Sequence, residues 1–424
     1  MHDLRMVREN VDALRAGMVR RGALDALGPA IDRAVALDKV RRDTIQAVEE
    51  RKAARNAVSQ QVGQRKRAGQ SADDLQQQSR ALGDEIARLD SELAETEKEL
   101  TSILLEIPNV TLEQVAAGGE ENNAVVRTWG SPREGVKLLP HWEIGVKLGL
   151  IDFERGAKIS GSGFIVFRAA GARLVRGLMN FMLDFHTREH GYEEEWIPVV
   201  VNRESMTGTG QLPKFAEDMY ALRGDEGYLI PTAEVPLTNL FRDEILAESD
   251  LPKAITGYSP CFRREAGAAG KDTRGLLRVH EFDKVELVRF VSPESSNDQL
   301  ELLTGHAERI LQLLELPYRV VRLASGDTGF ASAHTYDLET FAPGVGKWLE
   351  VSSCSNFTDF QARRANIRYK PAEGGKPRFV HTLNGSGLAF PRVIASILEH
   401  HQQEDGSVRV PAALAKYLGA ERLS

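Results

Sequence analysis

The sequence predicts an α+β protein in two parts: a long antiparallel helical hairpin (a coiled coil), then an antiparallel β-sheet flanked by helices. Leu82, Ile86, Leu89, Leu93, Thr96, Leu100 and Ile103 recur at spacings of four and three, a heptad seam. Between Ile31 and Leu105 there is no proline, and the glycines are Gly63, Gly69 and Gly83. Beyond residue 130, helical stretches alternate with β-rich runs such as EEEWIPVVV, ITGYSPCFRRE, VHEFDKVELVRFV and KWLEVSSCSNF, many alternating apolar and polar residues.

In the hairpin, Leu37, Val48, Val58 and Val62 form a weaker seam facing the first. Between the seams, Ser71 followed by Asp73 and Asp74 reads as an N-cap with acids in the first turn, so the tip lies near residue 70. About 30 residues per helix project roughly 45 Å. Residues 1–25 are expected to brace the base. Eight basic side chains fall in residues 41–67 (Arg41, Arg42, Arg51, Lys52, Arg55, Arg65, Lys66, Arg67) against three acids, whereas residues 73–100 carry nine acids. That asymmetry fits cross-helix ion pairing or a basic stripe laid along a phosphate backbone, and composition alone does not choose.

Composition bounds the rest. With 424 residues, 42% hydrophobic and 27% charged, the chain holds a generous core, which excludes whole-length disorder and a disulfide-stapled miniature. No window of 18 uncharged apolar residues spans a membrane, and the first ten residues carry no signal-peptide core. Two cysteines, Cys261 and Cys354, make neither a disulfide framework nor a four-cysteine zinc site, which points to a reducing compartment, the cytoplasm. A net charge of −7 argues against coating nucleic acid but leaves room for one basic surface.

The expected domains are 1–110, a helical arm; 111–130, a linker rich in turn residues; and 131–424, the sheet domain. No GxGxxG follows a strand and no GxxxxGK[ST] occurs, so neither common nucleotide fold is supported. Three segments carry candidate chemistry. Cys261–Val288 reads as strand, basic glycine loop, strand. Arg263, Arg264 and Glu265 precede Gly267, Gly270, Lys271, Arg274 and Gly275; then His280, Phe282, Lys284 and Glu286 alternate onto one face. Guanidinium groups suit phosphate, an aromatic suits a base, and a carboxylate suits an ammonium. In Lys347–Arg364, alternation puts Glu350, Ser352 and Cys354 on one side and Val351 and Ser353 on the other, with Glu350 and a hydroxyl as candidate oxygen ligands for Mg²⁺. In Thr382–Gln402 a glycine-rich turn leads into a helix with Pro391 early and Arg392 beside it. There the cation opposes the helix dipole, which marks it as an anion-binding candidate.

These segments resemble motifs 1, 2 and 3 of class II aminoacyl-tRNA synthetases. Motif 1 corresponds to a helix over Ala172–His190 with a strand through Trp196, Ile197 and Pro198. Motif 2 is CFRREAG through HEFDKVE, and motif 3 is NGSGLAFPRVIASILEHH. Together with the hairpin, PTAE, EVSSCSNFTDFQARR and LNGSGLA, they are similar to bacterial-type seryl-tRNA synthetases over essentially the whole chain.

The resemblance implies a class II catalytic domain that activates L-serine with ATP and passes it to the 3′ end of tRNA(Ser), and of tRNA(Sec). It implies a serine pocket of Thr232, Ala233, Glu234, Arg263, Glu286, Asn384 and Ser386. For ATP it implies Arg263, Arg264, Glu265, Val279, Phe282, Glu350, Val351, Ser352, Ser353 and Arg392, with Arg263 and Arg392 serving the reaction itself. Glu350 and Ser353 would hold Mg²⁺, which requires the strand to bulge, because alternation separates them. Arg41, Arg51, Lys52, Arg55, Arg65, Lys66 and Arg67 would meet the long variable arm of the tRNA across a homodimer. No zinc is expected, since the two cysteines flank other motifs. Glu281 and the sequence Glu399–His401 depart from the usual pattern without removing a proposed group. Two rivals, a carrier-protein aminoacylating homologue and a non-catalytic RNA-binding paralogue, fit less well. The first would lack residues 31–105, and the second would have lost Arg263, Glu265, Glu286, Glu350 or Arg392.

Overall fold

A computed structural model describes residues 1–133, 137–224, 227–266 and 274–424. Gly267, Gly270 and Lys271 of the basic loop lie outside the described residues. The chain forms two compact units, Met1–Pro108 and Asn109–Ser424.

In the first unit, α1 (Leu4–Glu9) and α2 (Val11–Arg20) precede the hairpin of α3 (Leu24–Arg67) and α4 (Asp73–Glu106). Both arm helices exceed the expected 30 residues, at 44 and 34. The first begins seven residues before Ile31 and runs through Pro29, which near the N-terminus forgoes one ladder bond. Of the residues read as seam, Leu37, Val48, Val58, Ile86 and Leu100 are buried, and at the base of α4 Leu104, not Ile103, is the buried residue. Ser71 does not cap α4. The cap position is Ala72 with no side-chain bond; Ser71 instead donates to Asp73 Oδ2 at 2.9 Å and accepts from the Asp73 N–H at 3.4 Å. At the base, Arg8 of α1 grips the buried Asp38 through two bonds of 3.1 Å, and Arg42 adds a third.

The second unit is built on one eight-stranded sheet. Its strands are β1 (Ala124–Trp129), β2 (Glu193–Glu194), β3 (Lys253–Phe262), β4 (Glu281–Val291), β5 (Tyr318–Arg322), β6 (His334–Ala342), β7 (Lys347–Asn356) and β8 (His381–Ala389). Their order is β1-β5-β6-β7-β8-β4-β3-β2, antiparallel except where β2 runs parallel to β3. The helices α5 (Ala170–Arg188), α6 (Ser296–Leu313) and α7 (Phe390–His400) belong to its main core.

Three local expectations change. Residues 124–129, inside the stretch read as linker, form the edge strand; AVVRTW is β-prone, and the turn residues before it masked that. Trp196–Pro198 is not a strand: the pairing residues are Glu193 and Glu194. The glycine-rich segment before α7 is strand β8, not a turn. Gly385 sits there because a Cβ would fall 2.3 Å from Leu303 Cδ2 and 2.9 Å from Cys354 Sγ, so the glycine marks close approach.

Strand β4 sets the stage for the site. Its odd residues Val285, Leu287 and Val291 join the main core, while Val288 and Phe290 join a second cluster with Ile197, Ala233, Ile255 and Ala362. Both faces are thus covered along most of its length. On the even face the apolar cover stops at Glu286, and Glu286, Lys284 and Phe282 continue it as a polar wall.

Candidate active site

Lys284 of that wall lines an open cleft of about 650 Å³, with Thr232, Glu234, Arg263, Glu350, Ser353 and Ser386, and Glu286 lies buried behind it. A smaller recess of about 100 Å³ shares Arg263, Glu265, Arg278, Lys284, Glu350 and Ser386 with it and adds Val279, Phe282, Val351 and Arg392. Residues from four parts of the sequence therefore meet in one concavity.

At its inner end, Glu286 is fully buried and collects donors. Thr232 Oγ1 donates to its Oε2 at 2.8 Å, Asn384 Nδ2 to its Oε1 at 3.3 Å, and the buried Lys284 ammonium forms an ion pair with it. Lys284 Nζ also donates to Thr232 Oγ1 at 2.8 Å. Glu286 and Ser386 are direct partners across β4 and β8, and the register then slips past Gly387. Glu234, at the start of the helix Glu234–Asn239, is buried nearby. Burial, and then the charge of Glu286, push its carboxyl up to about 7, against the hydrogen bond from Gln361. Ala233 does not reach the cleft by its side chain, which is wholly buried in the second apolar cluster.

Toward the mouth, Arg263 follows the end of β3. Its Nε donates to Pro231 O at 3.3 Å and its guanidinium lies 5.1 Å from the Phe282 ring centre. Glu265, in a left-handed conformation at φ 50°, pairs with Arg278 at 2.5 Å. Arg264 lines neither the cleft nor the recess; it is exposed, and its backbone N–H bonds Asp218 O. Arg392 donates through Nη1 to Glu350 O at 2.8 Å and to Glu350 Oε2 at 3.3 Å, and through Nε to Leu277 O at 3.2 Å.

Strict alternation had separated Glu350 from Ser353. Strand β7 carries a bulge: Leu338 pairs with Ser352 and Glu339 with Glu350, which leaves Val351 unpaired. The extra residue brings Glu350 and Ser353 to the same cleft. Ser352, expected beside Glu350, turns inward and donates to Ser386 O at 2.6 Å. Behind Ser353, burial and the neighbouring Glu350 push the Asp337 carboxyl well above its usual range, and Ser353 hydrogen-bonds it.

Sequence reasoning gave no role to Arg278, Gln361 or Asp337, and none to Lys284 beyond its face. Arg278 was findable, because the even-numbered alternation 280, 282, 284, 286 extends back to it. Gln361, 127 residues from Glu234, had no local signal.

On the arm, Arg41 pairs with Glu97, Arg51 with Glu85, Arg65 with Asp74 and Lys52 with Glu49. Ion pairing thus accounts for these four. Arg55, Lys66 and Arg67 pair with no carboxylate among the described residues.

Residues 1–111 match the family described as the seryl-tRNA synthetase N-terminal domain, and residues 219–401 match the tRNA synthetase class II core domain (G, H, P, S and T). A serine–tRNA ligase of Gemmatimonas aurantiaca is 64% identical over 99% of this chain and 99% of its own length. A Pyrococcus horikoshii seryl-tRNA synthetase crystallised with ATP superimposes with TM-score 0.94 at 38% identity, covering 100% of this chain and 99% of that one. A cytoplasmic serine–tRNA ligase of Naegleria fowleri with AMP gives 0.87 at 31% identity, over 100% and 99%.

Proposed function

The chain belongs to the seryl-tRNA synthetase family, and from that membership we propose how its own residues divide the work of activating serine and charging tRNA. It is a ligase that forms seryl-adenylate and pyrophosphate from L-serine and ATP, then transfers the seryl group to the 3′ end of tRNA.

The observation that carries the residue assignment is the convergence of Thr232, Lys284 and Asn384 on Glu286 beside Glu234. In this reading Glu286 and Thr232 take the serine ammonium, and Glu234, with Asn384 and Ser386 at the rim, takes the hydroxyl. A desolvated polar pocket rejects alanine because its own groups would be left unpaired, and crowding rejects threonine. Arg263 orients the serine carboxylate toward the α-phosphate and neutralises the charge that develops there. The adenine lies on Phe282, with Val279 and Val351 alongside and Glu265 at its edge. Arg392 meets the outer phosphates, exchanging its contact with Glu350 for one with the nucleotide. The displacement needs little proton transfer, so positioning and positive charge supply most of the rate.

Mg²⁺ fits the wall beside β7, because the bulge at Val351 offers a carboxylate and a hydroxyl oxygen to one cleft, the donor type this ion prefers. When bound there it would neutralise phosphate charge. Ser353→Ala is expected to raise the Mg²⁺ concentration for half-maximal adenylate formation by about 5-fold, the worth of one neutral ligand. A magnesium titration of ATP–pyrophosphate exchange checks this, and an unchanged midpoint removes Ser353 from the ligand set.

The hairpin is read as the tRNA-binding arm, with Arg55, Lys66 and Arg67, unpaired among the described residues, as candidate phosphate contacts and tRNA(Ser), and by family resemblance tRNA(Sec), as ligands. Substituting Lys66 and Arg67 together by Ala should raise the KM for tRNA about 10-fold and flatten its salt dependence by roughly 1–2 in log–log slope. Adenylate formation should not change. Charging assays across a salt series, run beside exchange assays, test both halves. A homodimer in the cytoplasm completes the proposal. Among the described residues no helix is long and apolar enough to cross a membrane.

A further inference from the structure

Gln361 lies on a six-residue helix, Phe360–Ala365, and is completely buried. Its amide is satisfied on both sides. Nε2 donates to Glu234 Oε1 at 2.6 Å and to Thr209 O at 3.2 Å, and Oε1 accepts from Thr382 Oγ1 at 2.8 Å. Thr382 is itself fully buried, on β8 two residues before Asn384. A hydroxyl on one side and a carboxylate plus a carbonyl on the other leave the amide a single sensible orientation: reversed, its oxygen would face two acceptors. Thr382, Gln361 and Glu234 therefore form a directed chain of hydrogen bonds that ends in the cleft.

We propose that Gln361 is a positioning residue for serine selection: held by Thr382, it occupies one oxygen of Glu234 and leaves the other to the substrate hydroxyl. The proposal rests on the reading that Glu234 meets serine. Held this way, the carboxylate has one free face and one rotamer, so a substrate lacking a hydroxyl leaves a buried acceptor unmatched. Without Gln361 the carboxylate can turn, and discrimination between serine and alanine weakens.

The same contact governs ionisation. Burial and Glu286 raise Glu234, to about 7, while Gln361, Lys284 and Arg263 pull it down. Removing the Gln361 donor raises it further. If the ionised form accepts from serine, activity falls as pH drops through this value, and the acid limb moves to higher pH in the variant.

The test is ATP–pyrophosphate exchange from pH 5.5 to 8.5 with wild type, Gln361→Met, Thr382→Val, Thr382→Ser and Glu234→Gln, with Tm recorded for each. Gln361→Met is expected to raise the serine KM about 10- to 100-fold, as for loss of a charge-assisted hydrogen bond, with little change in the ATP KM. It should lower the serine-over-alanine preference and move the acid limb of kcat/KM for serine up by roughly one pH unit. Thr382→Val should do the same more weakly, and Thr382→Ser, which keeps the hydroxyl, should behave as wild type. Equal losses toward serine and ATP with the acid limb in place would show a purely structural glutamine and overturn the inference. If Glu234→Gln keeps both the serine KM and the limb, the reading of Glu234 fails first and takes the inference with it. If Glu234→Gln loses the limb and Gln361→Met leaves it unmoved, only the inference fails.

Discussion

Arg263→Ala should lower serine-dependent ATP–pyrophosphate exchange by at least about 10²- to 10³-fold, the usual effect of deleting a donor aimed at developing charge. The guanidinium stands between the two halves of the cleft, bonded to Pro231 O next to the serine pocket and lying over Phe282 at the nucleotide side. Among the described residues no neighbour replaces it. Arg264 faces solvent, Arg278 is engaged by Glu265, and the Lys284 ammonium is held by Glu286. Because Arg263 is itself an exposed residue, its removal should leave the thermal midpoint nearly unchanged, so the loss will reflect chemistry and not unfolding. Arg263→Lys should recover only part of the rate, since an ammonium cannot bind carboxylate and phosphate oxygens in a bidentate fork. Exchange rates together with a melting curve for each variant check both statements.

Deleting residues 41–95, the outer hairpin, should reduce charging of tRNA to background while seryl-adenylate formation continues. The deleted part carries Arg55, Lys66 and Arg67, whereas every residue assigned to serine or ATP lies beyond residue 230. The deletion also spares the base, where Arg8 holds Asp38 and Arg33 pairs with Glu99. Exchange and aminoacylation measured on one preparation separate the outcomes. An equal fall in both would mean that the arm supports the catalytic unit, and the proposed division of labour would be wrong.

Much of this was legible in the sequence, for physical reasons. The α4 seam showed because one buried stripe every three and four residues is all a two-helix hairpin needs. The face shared by Phe282, Lys284 and Glu286 showed because strand alternation is local and strict. Legibility failed where alternation broke. The bulge at Val351 is set by pairing with β6, and nothing within β7 announces it, so Ser352 and Ser353 exchanged places relative to the simple pattern. The glycines of NGSGLA signalled a turn because glycine serves two ends; here Gly385 admits Leu303 and Cys354 against a strand. The cations of the arm could not be sorted into paired and free until α4 placed Glu97, Glu85 and Asp74 beside Arg41, Arg51 and Arg65. Gln361 depends on a contact across 127 residues that no short-range pattern records.

The central claim is that this cleft selects serine and joins it to AMP. The most direct test is ATP–pyrophosphate exchange with each of the twenty amino acids supplied singly. Exchange supported by serine, near background with alanine and threonine, and lost in Arg263→Ala, is the result predicted. Exchange with none of the twenty, from a folded and ATP-competent preparation, would contradict the account and leave the cleft a relic of the family's chemistry.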